Sequence, residues 1–350
     1  MRRWNGWGSE KTHYPLPKHG AKYLHQLIGS GTKLTDATLE AVLAKVPESR
    51  LPDHPLVSKD KEIRVRHARG QSLPDWLAMR SGEFGVFPDG VATPENHEEV
   101  EQLLAWAETH EVLVIPYGGG TSVAGHITPP VSERPVLTLS LRQMNKLLHI
   151  DKHSQLATFG AGVNGPELEA QLSVHGYCLG HYPQSWELST LGGWVASRSS
   201  GQQSLRYGRI EQMFAGGKLV TSQGTLTIPT FPASSAGPDL REIMLGSEGR
   251  FGIITEVTVR ITPIAEHESF HVAFLPSWEA GVALVRRLAQ QKLPLSMLRL
   301  SNPVETHTHL QLAGKPFLVG TLQRWLKWRG LGESPCMLTF GTTGTKKMSR

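Results

Sequence analysis

A run of three glycines after an apolar segment is the feature that most constrains how this chain can fold. Residues 112–115, Val-Leu-Val-Ile, have the length and β-branched content of a buried strand. The residues that follow are Pro116, Tyr117, Gly118, Gly119, Gly120, Thr121 and Ser122. Because glycine lacks a Cβ, the backbone here can take positive φ values and successive N–H groups can converge. Such a concavity of amides binds an anion such as phosphate, with the Thr and Ser hydroxyls as further donors.

The glycine triplet alone also fits an ordinary surface loop. It matches neither the dinucleotide fingerprint G-x-G-x-x-G nor the P-loop, because no Lys follows at the spacing that the P-loop requires. A phosphate ligand at this turn would therefore need an architecture of another kind.

Composition excludes several classes of protein. The length of 350 residues predicts about two domains, and 36 Gly with 23 Pro indicate a globular chain with many turns. No apolar run reaches the ~18 residues of a membrane span, and the first ten residues lack the apolar core of a secretory signal. Cys178 and Cys336 have no C-x-x-C spacing, so neither a metal site nor a disulfide framework is predicted. A net charge of +5 from scattered bases predicts no nucleic-acid partner, and we expect a cytoplasmic protein.

The hydrophobic pattern divides the chain into three parts. Residues 1–80 read as an N-terminal extension with one clear helix at 36–46, for which Asp36 is the predicted cap, and a solvated mixed-charge run at 59–66. Residues 81–265 form an αβ-rich domain. Thr93 and Pro94 predict the start of a helix there, and Val100, Leu103, Leu104 and Ala107 mark its buried stripe. Strands are predicted in this domain at 136–141 and 156–159. Residues 266–350 begin a further αβ domain, with strands predicted at 269–275, 295–300 and 337–340 and a helix at 278–290.

Three more clusters of glycine and hydroxyl residues follow the first turn. They lie at 184–190, 197–201 and 246–252, and the last precedes an alternating strand. Four such turns in one region suit a long ligand with several polar groups, because each cluster can satisfy a different part of it.

A basic helical stretch near the end of the chain has two unlike faces. Leu322, Trp325 and Leu326 lie on one side of the predicted helix, and Arg324, Lys327 and Arg329 on the other. A partly buried surface helix is the commoner outcome for such a pattern, but the composition also permits a peripheral membrane contact.

Several stretches resemble a known family. PYGGGTS, the stretch from His181 to Met213, and GPDLREIMLGSEGRFGIITEVTVRITP resemble the FAD-binding domain of the vanillyl-alcohol oxidase, or PCMH, superfamily. Within that superfamily RRWNGWG, GHYPQSWELSTLGGW and Leu298-Arg299-Leu300 resemble the alkyldihydroxyacetonephosphate synthase, or alkylglycerone-phosphate synthase, branch. The resemblance covers residues 2 to about 340. It implies an α+β fold, with a PCMH-type FAD-binding domain of two α/β subdomains followed by an incomplete α/β substrate, or cap, domain.

The resemblance also implies a cofactor, a reaction and site residues. It implies noncovalent FAD, a lipid-phosphate substrate and a reaction that exchanges the acyl group of acyl-dihydroxyacetone phosphate for a fatty alcohol without net redox change. The sequence does not determine the oligomeric state, for which a homodimer is one option. Arg299 matches an arginine of the substrate pocket, where its fork suits phosphate oxygens. The glycine turn, residues 116–122, would hold the pyrophosphate, and the other implied FAD contacts are Gln184, Ser185, Ser189, Thr190, Ser197, Arg198, Ser199, Ser200, Glu248, Gly249, Gly252, Ile253 and Ile254.

Departures from the family pattern limit what the resemblance implies. The family's catalytic Tyr and histidine-rich loop have no counterpart here, so we expect them beyond residue 350 and name no catalytic residue. His307 and His309 read as packing residues, and His126 is not expected to link covalently to the flavin. The last residues, 347–350, lack the family's peroxisomal signal.

Three hypotheses for the function stay open at this point. The first is an alkylglycerone-phosphate synthase-like enzyme, and the second is an FAD-dependent dehydrogenase or oxidase of 2-hydroxyacids such as D-lactate or glycolate. The third is a flavin-binding module without activity, because the expected catalytic groups are absent from the sequence.

Overall fold

The computed structural model describes residues 2–11, 15–32, 34–232, 234–313, 315–332 and 334–345. The chain forms two compact units. The first contains Met1–Lys11, Leu34–Gln202 and Tyr207–Ile264, and the second contains Thr12–Lys33, Gln203–Arg206 and Ala265–Arg350. The domain boundaries drawn at 80/81 and 265/266 stay a prediction. Residues 347–350, which the sequence analysis compared with a peroxisomal signal, lie outside the described ranges.

Helices and strands occur in both units. The helices are α1 Lys18–Ile28, α2 Leu39–Leu43, α3 Lys61–Arg66, α4 Leu73–Ser81, α5 His97–Thr109, α6 Gly165–Ser173, α7 Leu191–Ser197, α8 Ser204–Tyr207, α9 Ile210–Met213, α10 Arg241–Met244, α11 Trp278–Gln290, α12 Pro303–Leu312 and α13 Pro316–Trp328. The strands are β1 Val57–Ser58, β2 Gly90–Ala92, β3 Leu113–Tyr117, β4 Val136–Ser140, β5 Leu147–Asp151, β6 Leu156–Gly160, β7 Tyr177–Cys178, β8 Phe214–Thr221, β9 Gly224–Ile228, β10 Ile253–Arg260, β11 Thr262–Pro263, β12 His267–Leu275, β13 Leu295–Ser301 and β14 Cys336–Gly344.

The first unit contains two larger sheets of different kinds. One has the order β1-β2-β4-β3, with β2 and β3 both parallel to β4. The other has the order β5-β6-β10-β8-β9 and is antiparallel throughout. Both faces of β4 are buried, as expected for a parallel strand covered on both sides. The glycine turn leaves the end of β3, so the first sheet determines where that turn lies.

A continuous apolar core joins the helices of the first unit to its sheets. Val100, Leu103 and Ala107 form the inward stripe of α5 and are at most 2% exposed. They belong to one cluster with Leu137 and Leu139 of β4 and with the inward residues of the antiparallel sheet. The apolar periodicity that predicted the α5 helix therefore identifies its buried face correctly.

The second unit is a three-stranded antiparallel sheet with helices. The strand order is β12-β14-β13, and β14 pairs with a partner on each side along most of its length. The predicted helix 278–290 is confirmed, since α11 begins and ends at the predicted residues. The Ser277 hydroxyl accepts the N–H of Ala280 and caps its first turn. The mixed helix and strand content agrees with the predicted fold class.

Two predicted segments differ from the structure. The helix expected at 36–46 is only Leu39–Leu43, because Thr38 rather than Asp36 caps it, by accepting the N–H of Ala41, and Pro47 follows closely. The mixed-charge run at 59–66 is not a solvated face. It forms α3, in which Arg64 and Val65 are 1% exposed, and the Arg64 guanidinium donates to the carbonyls of Pro88 and Pro47 at 2.7 and 2.8 Å. The charge pattern of the sequence does not show that two main-chain carbonyls accept hydrogen bonds from a buried arginine.

The start of α5 also differs by three residues from the prediction. Its cap is Asn96, whose side-chain oxygen accepts the N–H of Glu99 at 2.9 Å, because Thr93 lies directly after strand β2. Across the described ranges, we find no helix with the length and apolar character needed to cross a membrane.

Candidate functional site

The glycine turn packs against a second backbone segment rather than opening freely to solvent. A Cβ on Gly119 would collide with the carbonyl group of Leu188, and one on Gly118 would collide with the Thr190 hydroxyl. Gly120 has φ +62°, in the left-handed region that side chains other than glycine rarely adopt. Each of the three glycines is thus required by a specific contact or backbone angle.

The second segment, residues 185–199, forms the opposite wall of the site. Thr190 accepts the N–H of Gly193 and begins α7, and Ser189 accepts a 2.7 Å hydrogen bond from the Trp194 indole. Both Ser189 and Thr190 are buried, so their positions are set by packing. This wall therefore presents hydroxyl groups whose orientation is largely fixed before any ligand binds.

The third wall comes from the turn that enters β10. Glu248 has φ +50° and its N–H donates to the Ala196 carbonyl at 2.9 Å, which ties this turn to α7. Gly249 has φ +80°, and a Cβ at that position would lie 3.0 Å from the Pro116 ring. The cluster at 246–252 is consequently in contact with the glycine turn, although more than a hundred residues separate the two in the sequence.

These three walls enclose a cavity of about 380 Å³. Such a volume falls in the range of small-molecule sites. Sixteen of the predicted cofactor-binding residues line it, namely Pro116, Tyr117, Gly118, Gly119, Gly120, Thr121, Ser122, Ser185, Ser189, Thr190, Ser197, Ser199, Glu248, Gly249, Gly252 and Ile254.

Five predicted site residues are not part of the cavity lining. Gln184 and Ser200 are exposed, Arg198 pairs with Glu242, and Ile253 is buried at the start of β10. Arg299 lies on β13 in the second unit, and its guanidinium pairs with Glu305. The roles assigned to all five stay predictions.

The sequence interpretation missed several lining residues. They are mostly small or apolar: Val123, Ala124, Ile127, Leu141, Gly192, Gly193, Trp194 and Ala196. The sequence gives little indication that these residues line a site, because an apolar residue beside a ligand follows the same pattern as one in the hydrophobic core. His126, which was considered and set aside as a covalent flavin link, also lines the cavity. Its Nδ1 lies 3.3 Å from the Ser122 hydroxyl and 3.7 Å from a Glu248 carboxylate oxygen.

A buried histidine supports the hydroxyl wall from behind. His181 is 1% exposed, its Nε2 lies 2.6 Å from the Ser199 hydroxyl, and its ring contacts Trp194 with centroids 4.9 Å apart. Burial lowers the pKa of His181 to about 4, so the imidazole is neutral near pH 7. A neutral ring can hold Ser199 in place without adding charge to the cavity.

The cavity suits an extended ligand with an anionic centre and a flat apolar part. In the described part of the chain, no protein group accepts a hydrogen bond from the N–H groups of Gly119, Gly120 or Thr121. These amides remain available for phosphate oxygens, as expected of a backbone anion site. Trp194 and Ile254 supply apolar surface in the same cavity. The residues present therefore fit FAD.

Family models match two parts of the chain. The model described as an FAD binding domain matches residues 88–228, which include the glycine turn and the wall at 185–199. The model described as the C-terminal domain of FAD linked oxidases matches residues 264–349.

Curated relatives and solved structures point to one kind of protein. The chain is 32% identical over 99% of its length to alkyldihydroxyacetonephosphate synthase of Dictyostelium discoideum, covering 64% of that protein. It is 31% identical over 91% of its length to the synthase of Trypanosoma brucei brucei, covering 57% of it. A solved structure of an alkyldihydroxyacetonephosphate synthase superposes with a TM-score of 0.86 at 29% identity, over 99% of this chain and 71% of that one. The chain thus spans less than two thirds of the length of these curated relatives. The glycolate oxidase subunit GlcD of Bacillus subtilis is more distant, at 29% identity over 71% of the chain.

Proposed function

We propose that the chain is an alkyldihydroxyacetonephosphate synthase-like member of the FAD-linked oxidases. It binds FAD noncovalently and exchanges the acyl group of an acyl-dihydroxyacetone phosphate for a fatty alcohol, and the fatty acid leaves. The similarity to the Dictyostelium synthase over 99% of the chain carries this proposal. The more distant glycolate and D-lactate enzymes match a smaller share of the chain, 71% and 65%. A cytoplasmic location and a homodimer stay predictions.

The residues of the cavity have distinct parts in this proposal. The free amides of the glycine turn bind the pyrophosphate, and the hydroxyls of Ser122, Thr190 and Ser199 donate to other polar groups of the cofactor. Trp194 and Ile254 pack against its apolar part and exclude water. When bound, FAD supplies the reactive isoalloxazine ring. His126, between Ser122 and Glu248, is placed to hold a proton at Nδ1 beside the cofactor.

Arg299 is proposed to bind the substrate phosphate. Its guanidinium is about half exposed and pairs with Glu305, so an arriving phosphate would compete with that carboxylate. The Arg299 guanidinium can donate two parallel hydrogen bonds to two phosphate oxygens. In the structure it bonds only one carboxylate oxygen of Glu305, so phosphate can make the more complete contact.

Exchange activity tests the proposed function directly. With FAD bound, the protein is expected to convert acyl-dihydroxyacetone phosphate and hexadecanol to the alkyl ether and the free fatty acid without an electron acceptor. Arg299→Ala should keep its flavin but raise KM for the phosphate substrate about 10- to 100-fold, because it loses charge-assisted hydrogen bonds. Arg287→Ala, on an exposed part of α11, is the control and should leave KM unchanged.

Other outcomes separate the alternatives. Bleaching of the flavin by D-lactate or glycolate, without exchange, would favour a 2-hydroxyacid dehydrogenase. Bound flavin with neither reaction would favour a binding module. If Arg299→Ala loses its flavin, the residue has a structural role.

We also propose that α13 contacts an anionic lipid surface. Phe317, Leu318, Trp325 and Trp328 are between 50% and 79% exposed, and at 100° per residue they fall within one third of the helix circumference. The predicted division of this helix into one apolar and one basic side is wrong, because Leu326 is buried whereas Trp325 is half exposed with the Arg329 guanidinium over its ring, 5.6 Å from the centroid. Residues 315–332 contain four basic residues and no acidic one. An exposed aromatic stripe beside basic side chains is typical of helices that lie in a membrane interface, and anionic lipid complements this charge.

Vesicle binding tests the lipid surface. Trp325→Ser with Trp328→Ser should weaken binding to phosphatidylserine-containing vesicles at least about tenfold, since each indole loses burial in the interface. Trp278→Ser removes an indole that is 43% exposed elsewhere in the same unit and should have little effect. Binding that is insensitive to the double substitution would contradict the proposal. A wild-type dimer that the double variant converts to monomers, with no vesicle binding, would assign the stripe to a second copy of the chain.

A further inference from the structure

The first residues of the chain lie directly behind the glycine turn. The guanidinium of Arg2 donates to the carbonyl oxygens of both Gly119 and Gly120, the latter at 3.0 Å. These carbonyls belong to the peptide units whose N–H groups come from Gly120 and Thr121. Because a trans peptide directs its C=O and N–H to opposite sides, fixing the two oxygens also fixes the direction of the two amides.

Arg2 is itself held by contacts within the first unit. Its carbonyl accepts a 2.6 Å hydrogen bond from Arg66 of α3, and the same guanidinium bonds Glu10 at 2.8 Å. The N–H of Arg3 donates to the Gly8 carbonyl at 2.9 Å, which closes residues 3–8 into a loop. Residues 2–10 are thus anchored on α3, and the Arg2 side chain reaches the turn from an anchored backbone.

The charges behind the turn are mainly guanidinium groups. His67 contacts the Tyr117 ring at 4.7 Å between centroids, just before the turn begins. Burial lowers the pKa of His67 to about 4, and the nearby charges of Arg2, Arg142 and Arg66 add to this effect, so the ring is neutral near pH 7. Arg66 is neutralised by Glu10 and Glu62, whereas no carboxylate pairs with Arg2 among the described residues. The positive charge of Arg2 therefore remains available to an anion on the other side of the turn.

We propose that Arg2 is a positioning residue of the FAD site. It holds the amides of Gly120 and Thr121 toward the cavity and adds positive charge behind them, so that the turn is arranged for the pyrophosphate before the cofactor arrives. This inference rests on the proposed binding of FAD by the glycine turn. It extends the site to residues 2–10, which do not line the cavity.

Three variants of the full chain test Arg2. Arg2→Met removes the charge and both hydrogen bonds while keeping an unbranched side chain, and it should raise the Kd for FAD about 10- to 100-fold. Arg2→Lys keeps the charge but loses the fork, so we expect an intermediate loss. Arg3→Met is the matched control. Arg3 donates to the Ser9 carbonyl within the same segment, and its loss should change the Kd by less than about threefold.

A second readout separates positioning from folding. Kd is measured by flavin fluorescence at 10 °C and at several salt concentrations, beside the Tm of each apo-protein. A lowered Tm with an unchanged Kd and salt dependence would overturn the proposal and leave Arg2 a structural residue. A reduced salt dependence for Arg2→Met but not for Arg2→Lys would support it, since only the first variant loses a charge. Failure of the wild-type protein to bind FAD would contradict the glycine-turn site itself, which is a different result.

Discussion

Replacing Gly119 by valine is expected to abolish FAD binding. A Cβ at this position would collide with the Leu188 carbonyl and also approach the Ser189 backbone. These are main-chain atoms tied to α7, so they cannot turn aside as the end of a flexible side chain can. The glycine turn must therefore separate from residues 188–190, and the cavity loses the contact between its first and second walls. We expect at least about a 100-fold rise in Kd, since overpacking costs of a few kcal/mol translate directly into affinity.

The measurement is FAD titration of the purified apo-protein, beside its circular dichroism. Gly31→Val is the matched control, because the same atoms are added where nothing lies within 4 Å of the new Cβ. Gly119→Ala should already lose most of the affinity, because the first added carbon makes the collision. A Gly119→Val protein that folds and binds FAD as tightly as wild type would remove the glycine turn from the site.

This expectation shows both what the sequence could predict and what it could not. The strand, the turn and its anion-binding character follow from local pattern, and the structure has β3 ending at Tyr117 before the glycines. The reason for Gly119, however, is a contact with Leu188, nearly seventy residues away. A single sequence contains no signal for the contact between Gly119 and Leu188. The sequence therefore suggested that the ligand requires glycine here, whereas the neighbouring main chain already requires it.

The same limit applies to the charged residues that hold the site. Arg64 and Arg2 both satisfy backbone carbonyls, and the sequence assigned Arg64 to a solvated face and gave Arg2 no individual role. Helical and strand periodicity depends on apolar residues, so it predicted the α5 stripe and the strand β4 well. It contains no information on charged side chains that fold back onto the main chain.

Asp89 is the clearest example of such a residue, and its position links the fold to the site. It is 3% exposed and lies immediately before β2. Its carboxylate accepts from the Arg50 guanidinium at 2.7 and 2.9 Å, from the Arg50 N–H at 3.1 Å and from the Val136 N–H at 2.8 Å. Val136 begins β4, the partner of the strand that ends in the glycine turn. Asp89 therefore fixes the beginning of the sheet whose other end positions the anion site.

Asp89→Ala is accordingly expected to lower the free energy of unfolding by about 3 kcal/mol. It leaves the buried Val136 N–H without its acceptor and removes the carboxylate partner of the half-buried Arg50 guanidinium, which keeps only the carbonyls of Ser132, Glu133 and Arg134. Urea unfolding followed by circular dichroism measures this. Asp53→Ala removes a carboxylate that is fully exposed although it pairs with Lys59, and it should leave stability unchanged. Comparable losses in the two variants would contradict the role given to burial.

The pH dependence of stability gives an independent test of the same carboxylate. Burial alone would raise the pKa of Asp89, but the hydrogen bonds from Arg50 and Val136 outweigh it and hold the pKa below its ordinary value. A carboxyl whose pKa is lower in the folded state contributes stability that is fully present above its unfolded pKa of about 3.9 and is lost as pH falls below it. The difference in unfolding free energy between wild type and Asp89→Ala should thus be constant from pH 5 to 7 and shrink below about pH 4. Because β2, β4 and β3 form one sheet, FAD affinity of the wild-type protein should weaken over the same acidic range. A difference that stays constant down to pH 3 would mean that Asp89 contributes through packing rather than through its charge.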